Sequence, residues 1–119
     1  MPSTGLAIGP LRLNEDNVEA VVNGALPGAY ALGRMRGRSF VVNFVGRADD
    51  NVREDLLDHA RRGKYKMMRF DYCASAETAF QRECEIYHDF GAAWLLDNKK
   101  HPAPAEGQDW RCPRCKKTA

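Results

Sequence analysis

Apolar and polar positions along this chain change period several times, and each change marks an element. Two runs rich in small, aromatic and β-branched residues, Gly28 to Arg34 and Ser39 to Arg47, flank the short link Met35-Arg36-Gly37-Arg38. Strand-forming runs around a Gly-containing link predict a β-hairpin. Upstream, residues 1–12 hold Gly and Pro with no clear period, and a loose arm is expected there. Asn14, followed by Glu15 and Asp16, predicts a helix start, Val18, Val21 and Val22 carry the helical spacing, and Gly24 is placed to stop it. After the hairpin, Asp49 or Asp50 is expected to cap a helix from about Asn51 to Arg62, with Val52, Leu56 and Ala60 as its apolar stripe and Gly63 at its end. Tyr65 to Cys73 alternates, with Lys66, Met68, Phe70 and Tyr72 on one side and Met67, Arg69 and Asp71 on the other, and predicts a third strand. Ser75, with Thr78 three residues on, opens a helix to about Phe90, closed by Gly91. Asp97 to Gln108 is polar and rich in Pro and Gly, a loop, and the tail from Trp110 is short and basic. The order helix, strand, strand, helix, strand, helix predicts an α+β fold with a small three-stranded antiparallel sheet flanked by helices.

Length narrows this to one compact unit with a small appendage, since 119 residues is one domain's worth of chain. Hydrophobic residues make up 44% and charged residues 29%, ordinary for a water-soluble globular domain. No apolar run approaches the ~18 residues of a membrane span, and the start lacks the basic lead and apolar stretch of a signal peptide. A cytoplasmic protein is the expectation. The formal net charge of +2 does not by itself call for a nucleic-acid partner. Its distribution is more informative: Arg34, Arg36, Arg38 and Arg47 gather around the hairpin, and Arg61, Arg62, Lys64 and Lys66 around the next turn. Such patches neutralise phosphates or form a solvated rim.

The helix from Ser75 carries the most telling residue. At about 100° per residue, Ala79, Phe80, Glu83, Tyr87 and Phe90 fall on one stripe, with Glu83 at its centre. A carboxylate on an apolar face needs a partner. That partner is either a basic residue of the sheet, such as Arg69, or a hard cation such as Mg²⁺, which takes one or two carboxylates plus phosphate oxygens and water. His59 lies at the edge of the preceding helix's apolar stripe, where a lone histidine is usually a hydrogen-bonded boundary residue.

These positions together resemble the GIY-YIG nuclease superfamily. Gly28-Ala29-Tyr30 stands for the first half of the naming motif and Phe44-Val45-Gly46 for the second, and Leu26-Pro27 resembles the entry to that domain in repair nucleases. The resemblance covers about Leu26 to Phe90. It implies a three-stranded sheet between helices and a metal-dependent endonuclease acting on DNA, with Mg²⁺ or Mn²⁺ on Glu83, and with Tyr30 and His59 aiding a water's attack on phosphorus. Two positions depart from the pattern. Asp55 stands where the family places an arginine, one turn before His59, and Phe44 keeps a ring where the family has tyrosine. Arg47 is the candidate replacement cation. Arg34, Arg36, Arg38 and Gly46 are expected to bind substrate. The same departures fit an alternative, a silent relative that docks nucleic acid or protein through its arginines. The implied layout is an arm and helix over 1–25, a GIY-YIG-like domain over 26–96, and a loop and tail over 97–119.

The tail has its own chemistry. Cys112-Pro113-Arg114-Cys115 is half of a zinc site. Cys84 and His88, four apart on one helical face, are expected to supply the other half, giving a closed site that staples the tail to the domain; His101 is the rival fourth ligand. Reduced, unliganded thiols or a redox pair are the other readings, although a redox pair lacks its usual βαβ context. Cys73, at a strand end, is expected to be a small buried hydrophobe.

Overall fold

The structure, a computed structural model, describes residues 3–23 and 25–115. It is an α+β fold built on a four-stranded antiparallel sheet in the order β1-β4-β2-β3, comprising β1 (Ile8–Arg12), β2 (Gly28–Arg36), β3 (Ser39–Ala48) and β4 (Met67–Tyr72). Four helices accompany it: α1 (Glu15–Val21), α2 (Val52–Arg62), α3 (Ala76–Asp89) and the single turn α4 (Ala92–Leu95).

The sheet has one strand more than the sequence predicts. The expected loose arm contains β1, which pairs with β4 along the sheet edge. Gly9 and Pro10 sit in a register shift between Ile8 and Leu11, so the alternation that would reveal a strand is broken where Pro is tolerated, on an edge. The hairpin link is also shorter than expected. Met35 and Arg36 pair with Phe40 and Ser39, leaving Gly37-Arg38 as a two-residue turn with Gly37 at φ +62°, the position where such turns favour glycine.

β2 is one of the two inner strands, with β4, and its side chains alternate between two cores. Tyr30 and Leu32 join Met68 and Phe70 of β4, Val18 and Val22 at α1, and Val52, Leu56 and Leu57 of α2. Ala29 and Ala31 face the other way, onto Val42, Val45, and Ile86 and Tyr87 of α3. The alternation expected for β4 holds, with Met68 and Phe70 fully buried and Tyr72 packed against the same core.

The predicted helix ends follow their capping chemistry, with one correction. Asn14 accepts from the Asn17 N–H at 2.8 Å, and Ser75 accepts from the Thr78 N–H at 3.1 Å. The cap of α2 is Asn51, accepting from the Glu54 N–H at 3.1 Å, rather than Asp49 or Asp50; Asp49 is turned instead to Arg47. Gly63 ends α2 in the left-handed conformation. α1 ends at Val21, and the expected stop at Gly24 lies outside the described residues. The loop after α4 covers the free edge of β3: Asn98 takes the Val45 N–H at 2.9 Å and donates to the Val45 carbonyl at 2.8 Å, while the Asp97 N–H donates to the Asn43 carbonyl at 2.7 Å. Covering an edge in this way blocks edge-to-edge pairing. Among the described residues, no helix is long and apolar enough to cross a membrane.

Candidate functional site

The first half of the site forms where β2 and β3 meet α2. Tyr30 and Gly46 are direct cross-strand partners, and the tyrosine ring lies flat over the glycine. A Cβ at position 46 would sit 2.6 Å from the ring and its hydroxyl, so only glycine admits the ring there. The ring carries the hydroxyl to α2. Its Oη lies 3.1 Å from His59 Nε2 and 3.3 Å from Asp55 Oδ2. Asp55 and His59 are four apart, hence on one helical face. With Tyr30 donating to Asp55, its oxygen is left to accept from His59 Nε2–H, so a neutral imidazole has Nδ1 free to take a proton. Phe44 packs against His59 in a tilted arrangement, ring centroids 5.4 Å apart, and stacks on Tyr65 at 5.7 Å.

Burial decides the protonation states here. Burial first, then the charges of Asp55 and Glu83, pushes the Tyr30 hydroxyl far above its ordinary range, so it remains protonated and acts as a donor. Burial, helped by Arg62 and opposed by Asp58, lowers His59, which is neutral at pH 7. Burial also raises Asp55, against the hydrogen bond from Tyr30.

The second half comes from α3 and the end of β3. Glu83 is the one buried charged side chain among the described residues. Its Oε1 accepts from Arg47 Nη1 at 2.8 Å, and Arg47 Nε donates to Asp49 at 2.7 Å. The partner is thus Arg47 and not Arg69, which donates to the Leu6 carbonyl. Burial pushes Glu83 up to about 7 against the pull of Arg47, while Asp49 and Glu83 overcome burial and raise Arg47 further. The guanidinium lies 5.1 Å from the Phe80 ring centroid and 5.9 Å from that of Trp110.

Asp55 of the first half and Arg47, Asp49 and Glu83 of the second line one cleft of about 510 Å³, with Ala48 and Asp50, where β3 passes into α2; Tyr30 adjoins it through Asp55, and His59 through Tyr30. The residues do not make a Mg²⁺ or Mn²⁺ site as they stand. One oxygen of Glu83 is taken by Arg47, and the cleft's carboxylates do not gather to ligand spacing.

The expected substrate-binding residues fall elsewhere. Gly46 is buried under Tyr30 and offers no surface. Arg34, Arg36 and Arg38 are exposed at the hairpin, while the cleft adjoins the opposite end of the strands; from Gly28 to Arg36 a strand advances about 26 Å at ~3.3 Å per residue. The hairpin lies beside the end of α2 and the turn after it, because the Lys66 N–H donates to the Gly33 carbonyl. Arg61, Arg62 and Lys64 there have carboxylates within 4.0 Å. The sheet therefore has a basic end and an acidic end.

The tail forms a third feature. His88, His101, Cys112 and Cys115 offer donor atoms that all lie within 4.8 Å of one another, a group able to hold a metal ion. His88 Nε2 and His101 Nε2 are 3.2 Å apart, and Cys115 Sγ is 3.4 Å from His101 Nε2. His101 thus stands where Cys84 was expected. Cys84 is buried beside Phe80 and Cys112 instead, and burial, with its thiol's hydrogen bond to Cys112, holds that thiol well above the usual range. Burial acts to raise Cys112 too, but the N–H groups of Cys115 and Arg114, with His101, bring it down to about 6. Cys73, expected to be a small buried hydrophobe, is partly buried and packs at the edge of the α3-side core.

Sequence reasoning missed Asp55 as the acceptor for Tyr30, although its spacing of four from His59 was the available signal. It also missed Phe80 and Trp110 as walls for Arg47, which no local pattern announces. Compared with known proteins, the chain matches no family model, no curated protein and no solved structure.

Proposed function

We propose that this chain is a divergent GIY-YIG-like endonuclease domain that hydrolyses DNA phosphodiester bonds in the cleft between α2 and α3. The observation that carries the reading is convergence. Glu83 with Arg47, from α3 and β3, and Asp55 from α2 line one opening, and Asp55 accepts from the Tyr30 hydroxyl, which in turn meets His59, with Gly46 making room for the tyrosine ring. Arg47 supplies the positive charge that draws a phosphate into an otherwise acidic cleft and steadies charge developing on its oxygens. The Tyr30 hydroxyl, held protonated, donates to a phosphate oxygen or orients the attacking water after leaving Asp55. Neutral His59 accepts the proton released by that water as its oxygen bonds to phosphorus, the P–O bond to the sugar oxygen breaks, and the departing oxygen takes a proton from solvent. The resemblance adds a divalent cation that would supply Lewis-acid charge when bound, but the carboxylate it would use, Glu83, is engaged by Arg47.

The test is nicking of supercoiled plasmid with Mg²⁺ or Mn²⁺, and with chelator, by the wild type beside Glu83→Ala and Tyr30→Phe. Nicking that both substitutions reduce supports the reading, and equal or absent nicking in all three ends it.

A second reading, a module that binds nucleic acid without cutting it, is favoured by Arg34, Arg36, Arg38 and Lys66 at the basic end, which are exposed and form no ion pair among the described residues. It predicts salt-sensitive duplex binding with no cleavage. The tail, in either reading, holds a structural Zn²⁺ through His88, His101, Cys112 and Cys115. Two thiolates and two imidazoles suit tetrahedral zinc, and a closed set of four leaves no position for substrate.

A further inference from the structure

The metal-ligand group and the cleft are joined by one side chain. Trp110 lies two residues before Cys112 and is half-buried, between the exposed Asp109 and Arg111. Its ring packs on Phe80, centroids 5.7 Å apart, and over the Arg47 guanidinium at 5.9 Å. Phe80 lies 5.1 Å from the same guanidinium. Arg47 is therefore walled by one ring from α3 and one from the tail, while its nitrogens hold Glu83 and Asp49. A cation against aromatic faces gains most when water is excluded.

The ring otherwise packs at the small buried cluster of Phe80, Cys84 and Cys112. Residues 103–111 contain no helix or strand and are mostly exposed. Beyond Trp110, the tail is anchored by the buried Cys112, by the contacts of Cys115 with His101, and by the Arg114 to Asp89 ion pair at 2.5 Å. Cys112 and Cys115 are both members of the donor group, whereas His88 belongs to α3. Ligating one ion with all four fastens the tail to the domain right after Trp110.

We infer that metal loading of the tail seats Trp110 against Arg47 and thereby sets the cleft's guanidinium, which makes Trp110 a positioning residue for the site. This rests on the zinc reading given above. With the ion bound, Arg47 is fixed between two rings and presented to the cleft beside Glu83. Without it, the tail loosens, Trp110 leaves, water reaches the guanidinium, and Arg47 samples several positions.

The test uses the full chain carrying Trp94→Phe, which leaves Trp110 as the only tryptophan; Trp94 itself is almost fully exposed. Zinc is added to chelator-stripped protein while zinc content, tryptophan emission, acrylamide quenching and the Arg47 Nε–H resonance, assigned with Arg47→Lys, are followed. The expected result is uptake of one equivalent of zinc, a shift of Trp110 emission to shorter wavelength with reduced quenching, and an Arg47 resonance displaced by ring currents and protected from exchange. Trp110→Leu keeps the zinc and loses the Arg47 displacement, and Trp110→Phe restores part of it. Cys115→Ala loses zinc, Trp110 burial and the Arg47 signature together. Failure of the wild type to take up zinc overturns both the zinc reading and this inference. Zinc uptake with Trp110 and Arg47 unchanged overturns the inference alone.

Discussion

Glu83 is a carboxylate whose burial costs more than its partner returns, and replacing it with glutamine measures that balance. In the folded chain its pKa stands at about 7 against an ordinary 4.5. The folded state therefore binds more protons than the unfolded state between those values, so stability from this group is complete below 4.5 and is lost as pH rises through 7. At about 1.4 kcal/mol per pH unit, the window from 4.5 to 7 amounts to about 3 kcal/mol. Glu83→Gln keeps the shape and an oxygen that can accept from Arg47, and Arg47 keeps Asp49, so its cation is not stranded. Urea unfolding of both proteins at intervals from pH 4 to pH 8, followed by circular dichroism, yields the difference in stability; other titrating groups cancel in it. The expected difference moves in favour of glutamine by about 3 kcal/mol as pH rises across the window. A flat difference, or one favouring glutamate at pH 8, refutes the reasoning and makes the Arg47–Glu83 pair a net stabiliser.

Further expectations concern the neighbouring parts. Gly46→Ala forces Tyr30 off the strand, costing about 1–3 kcal/mol, and the His59 ring resonances shift with it; an unchanged unfolding midpoint and spectrum contradicts the packing described. If the cleft hydrolyses phosphodiesters, Tyr30→Phe lowers single-turnover nicking by about 10²–10³-fold while leaving duplex affinity unchanged. Chelation of the tail's metal lowers the melting temperature, and His101→Ala abolishes zinc uptake in elemental analysis while Cys84→Ala retains it; the reverse pattern restores Cys84 as the ligand. Replacing Arg34, Arg36 and Arg38 together with alanine flattens the plot of log affinity for duplex DNA against log salt by about 3 at most, and an unchanged slope removes the hairpin from the interface.

What could be read from the sequence followed from local physics. The hairpin, α2, β4 and α3 announce themselves through period and caps, since alternation and side-chain capping act within a few residues. The inward position of Glu83 was legible for the same reason, because a helical stripe fixes which face a residue shares. Its partner was not, since Arg47 reaches it through strand register and helix packing. β1 escaped because Gly9 and Pro10 interrupt its alternation at an edge. The cover that Asn98 gives β3 looks like any polar loop until the edge is seen. At the tail the spacing pointed to a pair of cysteines able to hold a metal ion, yet grouping His101 rather than Cys84 with them depends on how the chain after α4 turns back, which no local pattern encodes.

The central claim is that phosphate meets this protein at the cleft between α2 and α3. A crystal structure of the full chain with Mn²⁺ and a short DNA duplex tests it most directly. The account predicts a backbone phosphate beside Arg47, within hydrogen-bond reach of the Tyr30 hydroxyl. A duplex lying only along Arg34, Arg36 and Arg38, with the Arg47–Glu83 cleft free of phosphate, contradicts it.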